Sequence, residues 1–372
     1  MSDTLFVYGP LCHAPLRTVV LGLGHSVVEA RASGVEVGRM VGTDQPALVK
    51  GNGEAAGLLV DCLDAGTRAR ADLFAAGLGF EPKILKVAVD GRGTVPARVY
   101  VPVGGAPELD GAWNLADWVA TAAPIWIAAA RETMQTAGGA NPETLALRWP
   151  MAKLRAASRV RAGRIGATQV RSEFSADRDV DVLKERRPYT EFFALEDNDL
   201  RFRRFDGGWS APVRRAGFVS GDAATVLPYD PKLDSVLVVE QFRTGPFLRG
   251  DPRPWTLEPI AGRIDPGEEP ETAARREAEE EAGLTLGALH PVADYYPSPG
   301  AVSEFVYSYV AETSLAGLGG TIGGAPSEDE DIRTHVIAFE TMLEMVRSGE
   351  AGTGPLILSV YWLALNRLRL WG

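Results

Sequence analysis

"GRIDPGEEPETAARREAEEEAGL", Gly262 to Leu284, places four glutamates among the five residues from Glu277 to Glu281. Proline at 270 suits the first position of a helix, where its missing N–H costs nothing. Glycine at 283 suits the left-handed residue just past the end. The stretch therefore predicts a helix over Pro270–Ala282. On it Glu277 and Glu281 stand one turn apart on one face with Glu280 beside them, and Ala274, Ala278 and Ala282 form a small apolar stripe. Like charges so spaced cost roughly 0.2–0.5 kcal/mol per pair on an exposed helix, and more where water is excluded. Arg275 and Arg276, pairing with Glu279 and Glu280, offset only part of that. A solvated Glu/Arg face is the usual meaning of such a run. Divalent cations on the glutamate face are the other, and oxygen ligands without His or Cys select Mg2+ or Mn2+ over zinc. A hard ion with open coordination positions is the usual partner of phosphate oxygens.

The spacing of the whole stretch decides between the two. It runs Gly-x5-Glu-x7-Arg-Glu-U-x-Glu-Glu-x-Gly-U, with U apolar, and Gly262, Glu268, Arg276, Glu277, Ala278, Glu280, Glu281, Gly283 and Leu284 fill the fixed places. This resembles the Nudix box of the Nudix hydrolases, with Ala278 small for its apolar position. The resemblance implies an α/β/α sandwich around a mixed sheet and hydrolysis of a diphosphate joined to another group. It also implies metal ligands: Glu277 and Glu281 as the principal ones, Glu280 as a further carboxylate of the catalytic cluster, and the carbonyl of Ala261. Arg276 and Glu268 are expected to hold the preceding loop to the helix.

Around this stretch, "VEQFR", "PWTLEPIAGR", "YYPSPG" and "SEDEDIRTHVI" look like the ADP-ribose pyrophosphatase branch across residues 196–372. That branch implies Mg2+-dependent conversion of ADP-ribose to AMP and ribose 5-phosphate, in a homodimer. It puts arginines on the diphosphate or terminal ribose at the places of Arg243 and Arg215, an apt use of a guanidinium that donates two parallel hydrogen bonds. Pro299, fifteen residues after Leu284, stands where the branch carries a proline. The acidic segment Ser327–Asp331 matches a loop that brings a glutamate, Glu328 or Glu330, to the attacking water. Gly319, Gly320, Gly323 and Gly324 suit the mobility of a lid. Another nucleoside diphosphate sugar or a dinucleotide is the alternative substrate, and an ADP-ribose sensor with incidental turnover is the alternative of a different class.

The totals agree with an enzyme of more than one domain. At 372 residues, 45% of them hydrophobic and 23% charged, the chain exceeds the size at which single cores usually stop growing. A net charge of −11 argues against a surface for nucleic acid or anionic lipid. Cys12 and Cys62 are too few for a disulfide framework and lack zinc spacing, which suits a reducing cytoplasm. The apolar run Trp118–Ala130 is interrupted by Pro124 and too short to span a bilayer, and the start shows no export signal.

Ahead of residue 196 the pattern changes twice. From Thr4 to about Val103, the β-rich runs "TLFVYG", "GLLVDCL", "KILKVAV" and "ARVYVPV" surround one helical stretch, Gly66–Ala76, and predict a small α+β domain over residues 1–112. "LFVYGPLCHAPL", Leu5–Leu16, together with "PALV" at Pro46–Val49, resembles the γ-glutamylcyclotransferase-like domains, whose barrel cradles a γ-glutamyl group in this loop. Two departures oppose that chemistry. Pro10 has no N–H to offer a ligand, and Ala75 and Ala76 stand where the general-base glutamate belongs, so a non-catalytic module is expected. Between Trp113 and about Arg164, Leu115, Trp118, Val119, Ala122, Ile125 and Trp126 recur at helical spacing, and residues 113–195 read as a helical connector. Its basic run, Arg148, Lys153, Arg155, Arg159, Arg161, Arg164 and Arg171, reads as a solvated or inter-domain face.

Overall fold

The computed structural model describes residues 4–61, 63–135, 141–163, 169–324 and 330–372. The chain forms two compact units, Met1–Arg215 and Ala216–Gly372. Both are mixed α/β.

The first unit is built on a barrel. Its strands are β1 (Leu5–Val7), β2 (Val27–Met40), β3 (Pro46–Val60), β4 (Phe80–Val89) and β5 (Gly93–Pro102), with a short β6 (Leu109–Ala112) added to β2. The order β3-β1-β5-β4-β2 closes because β2 pairs with β3 from Val27↔Val60 to Arg39↔Pro46. Closure leaves no free edge among these five strands. The period of two sorts their side chains: Phe6, Leu59, Ala97 and Val99 fill the barrel, while Leu5, Val7, Val60 and Tyr100 face a helical layer.

That layer contains α1 (Ala14–Leu21), α2 (Ala65–Gly77), α3 (Leu115–Thr121), α4 (Ala123–Gln135) and α5 (Pro142–Ala162). Trp118, Trp126 and Trp149 pack edge to face in one row, with ring centroids 5.7 and 5.1 Å apart, in the same core as Leu5, Leu16 and Val20. The helical spacing of Leu115–Trp126 thus reports a buried face rather than a free-standing connector. Helices α3, α4 and α5 complete the core of the barrel unit. Residues 180–202 are not helical at all: β7 (Val180–Thr190) and β8 (Ala194–Phe202) form a hairpin after the short α6 (Ala176–Asp179), and β9 (Val213–Val219) joins β8.

The basic run also differs from a solvated face. Arg148 pairs with Glu191, Lys153 with Asp44 and Arg159 with Glu196, while Arg155 is buried against Glu132. The acids lie 23 to 109 residues away, too far for a local charge pattern to show them. Arg164 lies outside the described residues, as does Cys62. Among the described residues, no helix is long and apolar enough to cross a membrane.

The second unit is a three-layer sandwich. Its sheet follows the order β14 (Leu289–Tyr295), β15 (Val306–Glu312), β10 (Ala223–Asp230), β11 (Ser235–Phe242), β17 (Ile332–Ala338), β16 (Ile322–Gly323), with β12 (Trp255–Glu258) on β11 and β13 (Ile260–Arg263) on β10. β10 and β15 are parallel and β10 and β11 antiparallel, so the sheet is mixed. Both faces of its central strands are apolar. Ala224, Val226, Leu237 and Val239 pack under α8 (Pro270–Ala282). Leu227, Tyr229, Val236 and Val238 pack under α9 (Phe339–Ser348) and α10 (Gly354–Trp371). Sequence reading foresees α8 but passes over α9, although Phe339, Met342, Leu343 and Val346 repeat at three and four. It also passes over α7 (Thr244–Arg249), whose six residues bury no side chain.

Candidate active site

Helix α8 begins with Pro270 in its first turn and ends at Gly283 in the left-handed conformation. Ala273, Ala274 and Ala278 are buried against the sheet, and this small-residue face lets the helix settle close to β10 and β13. Close packing brings its glutamates onto the end of β13. At Gly262 a side-chain carbon would lie 1.9 Å from the Glu277 carboxyl carbon, so only glycine leaves that carboxylate its place. Ala261 precedes it on β13, opposite Thr225.

Arg276 organises the entrance. Its guanidinium donates to both carboxylate oxygens of Glu268 at 3.1 Å, to Glu277 at 2.6 Å, to Glu280 at 3.1 Å and to the carbonyl of Arg263 at 2.9 Å. One side chain thereby ties the loop before the helix to the helix itself. Arg275 does something other than pair with Glu279: it donates to the carbonyls of Leu286 and Gly287, holding the chain that follows the helix. Glu280 is exposed, with Arg276 on one of its oxygens.

Glu281 is the unusual group. It is 2% exposed, and one carboxylate oxygen is buried without a hydrogen-bond partner. Burial, then the charges of Glu277 and Glu330, push its pKa to about 9. Burial likewise raises Glu277 to about 7, with Arg276 opposing and Glu280 and Glu330 adding to the rise. A buried carboxylate oxygen without a partner, beside a second carboxylate whose counterion is Arg276, fits a cation-binding site. Among the described residues no group of three or more His, Cys, Asp or Glu side chains is preassembled to hold a metal ion. Arg276 accounts for part of this, since it holds Glu277 and Glu280 by the oxygens a metal would use. The donor set is all oxygen, which fits Mg2+ or Mn2+.

The other expected residues fall in three groups. Arg243, at the end of β11, forms a two-point pair with Glu258 of β12 at 2.9 and 2.7 Å, and it feels the charges of Glu281 and Glu330. Glu330 acts electrostatically on Glu277, Glu281 and Arg243 alike, so these four stand together. Gly323, on β16, lies where a side-chain carbon would meet the Glu281 carbonyl at 2.4 Å, so it serves close approach to the helix end as well as any mobility. Pro299 is exposed in the turn after β14. Arg215 belongs to the first unit, exposed on β9, and its guanidinium donates to the carbonyl of Arg214. Glu328 lies outside the described residues, as do Ser327 and Asp329.

Two acids go unremarked in the sequence reading. Glu258, the partner of Arg243, is the single acid in "PWTLEPIAGR", and a lone carboxylate in an otherwise uncharged strand is the signal that would have found it. Glu304 follows the "YYPSPG" turn and faces the charges of Arg263 and Arg243. In the first unit, Tyr8, Pro10 and Leu11 line one cavity together with Ala75, so the loop and the helix singled out there do meet.

Residues 219–353 match the NUDIX domain family. The ADP-ribose pyrophosphatase of Haemophilus influenzae (strain ATCC 51907 / DSM 11121 / KW20 / Rd) is 36% identical over 197 residues, which are 52% of this chain and 90% of that protein. The GDP-mannose pyrophosphatase of Enterobacter sp. (strain 638) is 32% identical over 189 residues, 51% of this chain and 97% of that protein. A crystal structure of an ADP compounds hydrolase aligns at a TM-score of 0.39 and 20% identity, over 51% of this chain and 97% of that one. With the glutamate helix, the glycine-gated carboxylate and relatives matched over nearly their whole length, the chain belongs to the Nudix hydrolases and is a Nudix pyrophosphatase.

Proposed function

We propose that this chain hydrolyses the diphosphate bond of ADP-ribose to AMP and ribose 5-phosphate, with Mg2+ as cofactor. The observation that carries the reading is the buried Glu281, one oxygen of which has no partner, beside the half-buried Glu277. A divalent cation held there supplies charge neutralisation for the diphosphate oxygens. Glu281, Glu277, Glu280 and the Ala261 carbonyl are the groups to hold it. Arg276 and Glu268 fix the loop so that these carboxylates stay convergent. Arg243 is free to turn one edge of its guanidinium to a diphosphate oxygen while Glu258 holds the other. Water attacks one phosphorus, the bridging P–O bond breaks, and the two phosphate monoesters leave.

Glu330 is the group we assign to taking the water proton, because it stands by the carboxylate pair without belonging to the metal helix. Glu330→Gln should lower kcat by about 10²-fold or more at nearly unchanged KM, the scale of a lost general base. Wild-type kcat in that variant would leave the role to Glu328 or to no protein base. Gly262→Ala tests the carboxylate cradle: the added methyl displaces the Glu277 carboxylate, and a misplacement of this order costs about 10²-fold in turnover. Unchanged turnover in Gly262→Ala would remove Glu277 from the site.

The choice of ADP-ribose is supported by the ADP-ribose pyrophosphatase relatives, and GDP-mannose is the alternative because another relative acts on it. Phosphate release, coupled to a phosphatase that cleaves the monoester products, should rank ADP-ribose above ADP-glucose, GDP-mannose, NADH and FAD with Mg2+. A different first-ranked substrate overturns the substrate, and no turnover of any favours a sensor. The resemblance further supports a homodimer, which light scattering on the same samples tests. We assign residues 1–112 no catalysis, because Ala75 and Ala76 supply no carboxylate.

A further inference from the structure

The basic run of α5 meets acids from elsewhere in the chain, but Arg148 is only partly satisfied by them. One of its terminal nitrogens donates to Glu191 at 2.5 Å, whereas its Nε is buried without a hydrogen-bond partner among the described residues. Thr190, at the end of β7, is 6% exposed, and its hydroxyl is likewise buried and unpartnered there. Both residues line one cleft of about 580 Å3, formed by β7, the last residue of α4 and the first turns of α5. That volume lies within the usual range for small-molecule sites. Buried polar atoms are nearly always hydrogen-bonded, so a donor and a hydroxyl left over on one wall point to a ligand. Arg186 and Arg187 share the lining, and Glu185 is its one acid among the described residues. Each guanidinium is fixed by an acid outside that lining: Arg148 by Glu191, Arg186 by Asp199 and Arg187 by Glu196. Arg187 is also tied to Gln135 at the rim, whose amide oxygen accepts at 2.8 Å.

We propose that this cleft binds the phosphate group of a small phosphorylated metabolite, with the Arg148 Nε–H and the Thr190 hydroxyl donating to its oxygens. A phosphate monoester is largely a dianion at neutral pH and offers three strong acceptor oxygens. The lining supplies the matching groups: two donors in need of an acceptor, and three guanidinia against one carboxylate. Guanidinia already fixed from outside the cleft lose little freedom when an oxyanion arrives. Glu185 contacts Arg187 at 2.7 Å from an exposed side chain, and a pair of this kind yields at small cost to a ligand of higher charge. A cationic ligand would meet three like charges, and an apolar one would leave both orphaned groups unpaired. The cleft belongs to the first unit and the glutamate helix to the second, so the proposal does not depend on the diphosphate reading.

Isothermal titration of glycerol 2-phosphate into the full-length chain tests this, at constant ionic strength and in EDTA so that no metal bridges the ligand to the glutamate helix. The phosphate should bind saturably at one molecule per chain, glycerol should not bind, and acetate should bind more weakly by about tenfold or more. Thr190→Val keeps the shape of the side chain and removes a hydroxyl without a partner, so its fold should be as stable as wild type or more so. Its affinity for glycerol 2-phosphate should nevertheless fall by about tenfold, the scale of one hydrogen bond to a charged group. A threonine with a merely structural role would not separate these two readouts. Should that variant lose its fold by circular dichroism, Gln135→Glu takes its place. It lies exposed at the rim, keeps the acceptor for Arg187, and adds a negative charge to the lining that should weaken binding by a similar factor. No saturable binding in the wild type, acetate bound as tightly as the phosphate, or wild-type affinity in the folded variant would each overturn the proposal.

Discussion

Replacing Glu281 by glutamine is expected to lower turnover by about 10²–10³-fold or more, the scale for loss of one preorganised electrostatic group, while the fold survives. Glutamine has nearly the shape of glutamate, so the packing of Ala274 and Ala278 beneath the helix is undisturbed. What disappears is the buried negative charge. In wild type that charge is costly in the absence of a cation, because its carboxyl is pushed from an ordinary 4.5 to about 9. A folded-state pKa raised in this way means that ionisation opposes folding. The penalty is absent below pH 4.5, grows as pH rises, and is complete above about pH 9. Wild-type protein freed of metal should therefore lose stability between those limits, and Glu281→Gln should lose less. Added Mg2+ should restore wild type most at the alkaline end, since ligands must be deprotonated to bind, and should restore the variant little. Thermal unfolding across pH, with EDTA or Mg2+, reads all of this. Near-wild-type turnover with Mg2+, or an equal response of the variant to the metal, would remove Glu281 from the metal site.

The site was legible where it is local and opaque where it is assembled. Pro270, Gly283 and the glutamate spacing predict helix, face and ion from fourteen consecutive residues, because helix geometry alone brings residues four apart together. The reason for Gly262 is of another kind: it lies fifteen residues before Glu277, and its role depends on how closely β13 packs against α8. The Arg243–Glu258 pair is set by strand register, Val239 standing opposite Glu258, which no periodicity reveals. The barrel unit shows the same divide. Its alternation was visible in "TLFVYG", but its closure rests on two strands of fourteen and fifteen residues, Val27–Met40 and Pro46–Val60. These are rich in Gly, Glu and Ala and carry weak strand signals. The tryptophans at 118 and 126 were visible as part of an apolar face, but nothing in the spacing says whether such a face covers a neighbour's core or its own domain's.

Arg155→Met is the second change with a large expected effect, and it falls on stability. Arg155 is 1% exposed and Glu132 3% exposed, and the guanidinium donates to one Glu132 oxygen through two nitrogens, one of them at 3.0 Å. Its remaining nitrogen donates to the carbonyls of Glu191 and Phe192, at 3.2 and 3.1 Å, in the turn between β7 and β8. The side chain therefore joins three segments far apart in sequence: α4, α5 and the β7–β8 hairpin. Removing it takes the guanidinium away from a buried carboxylate and two carbonyls, and breaking a buried pair by deleting one partner costs about 3–5 kcal/mol. The charge itself is not what the fold requires, since well-packed apolar replacements of both partners are often neutral. The double variant Arg155→Met with Glu132→Leu should then recover much of the loss, though not the ties to Glu191 and Phe192. Hydrogen exchange of the α5 amides, Pro142–Ala162, measures both variants without averaging over the other unit. Protection in Arg155→Met within about 1 kcal/mol of wild type would show that water reaches Glu132 and that the pair is dispensable. Equal losses in the single and double variants would instead assign the stabilisation to the two carbonyl bonds, making Arg155 a clamp on the hairpin rather than a countercharge.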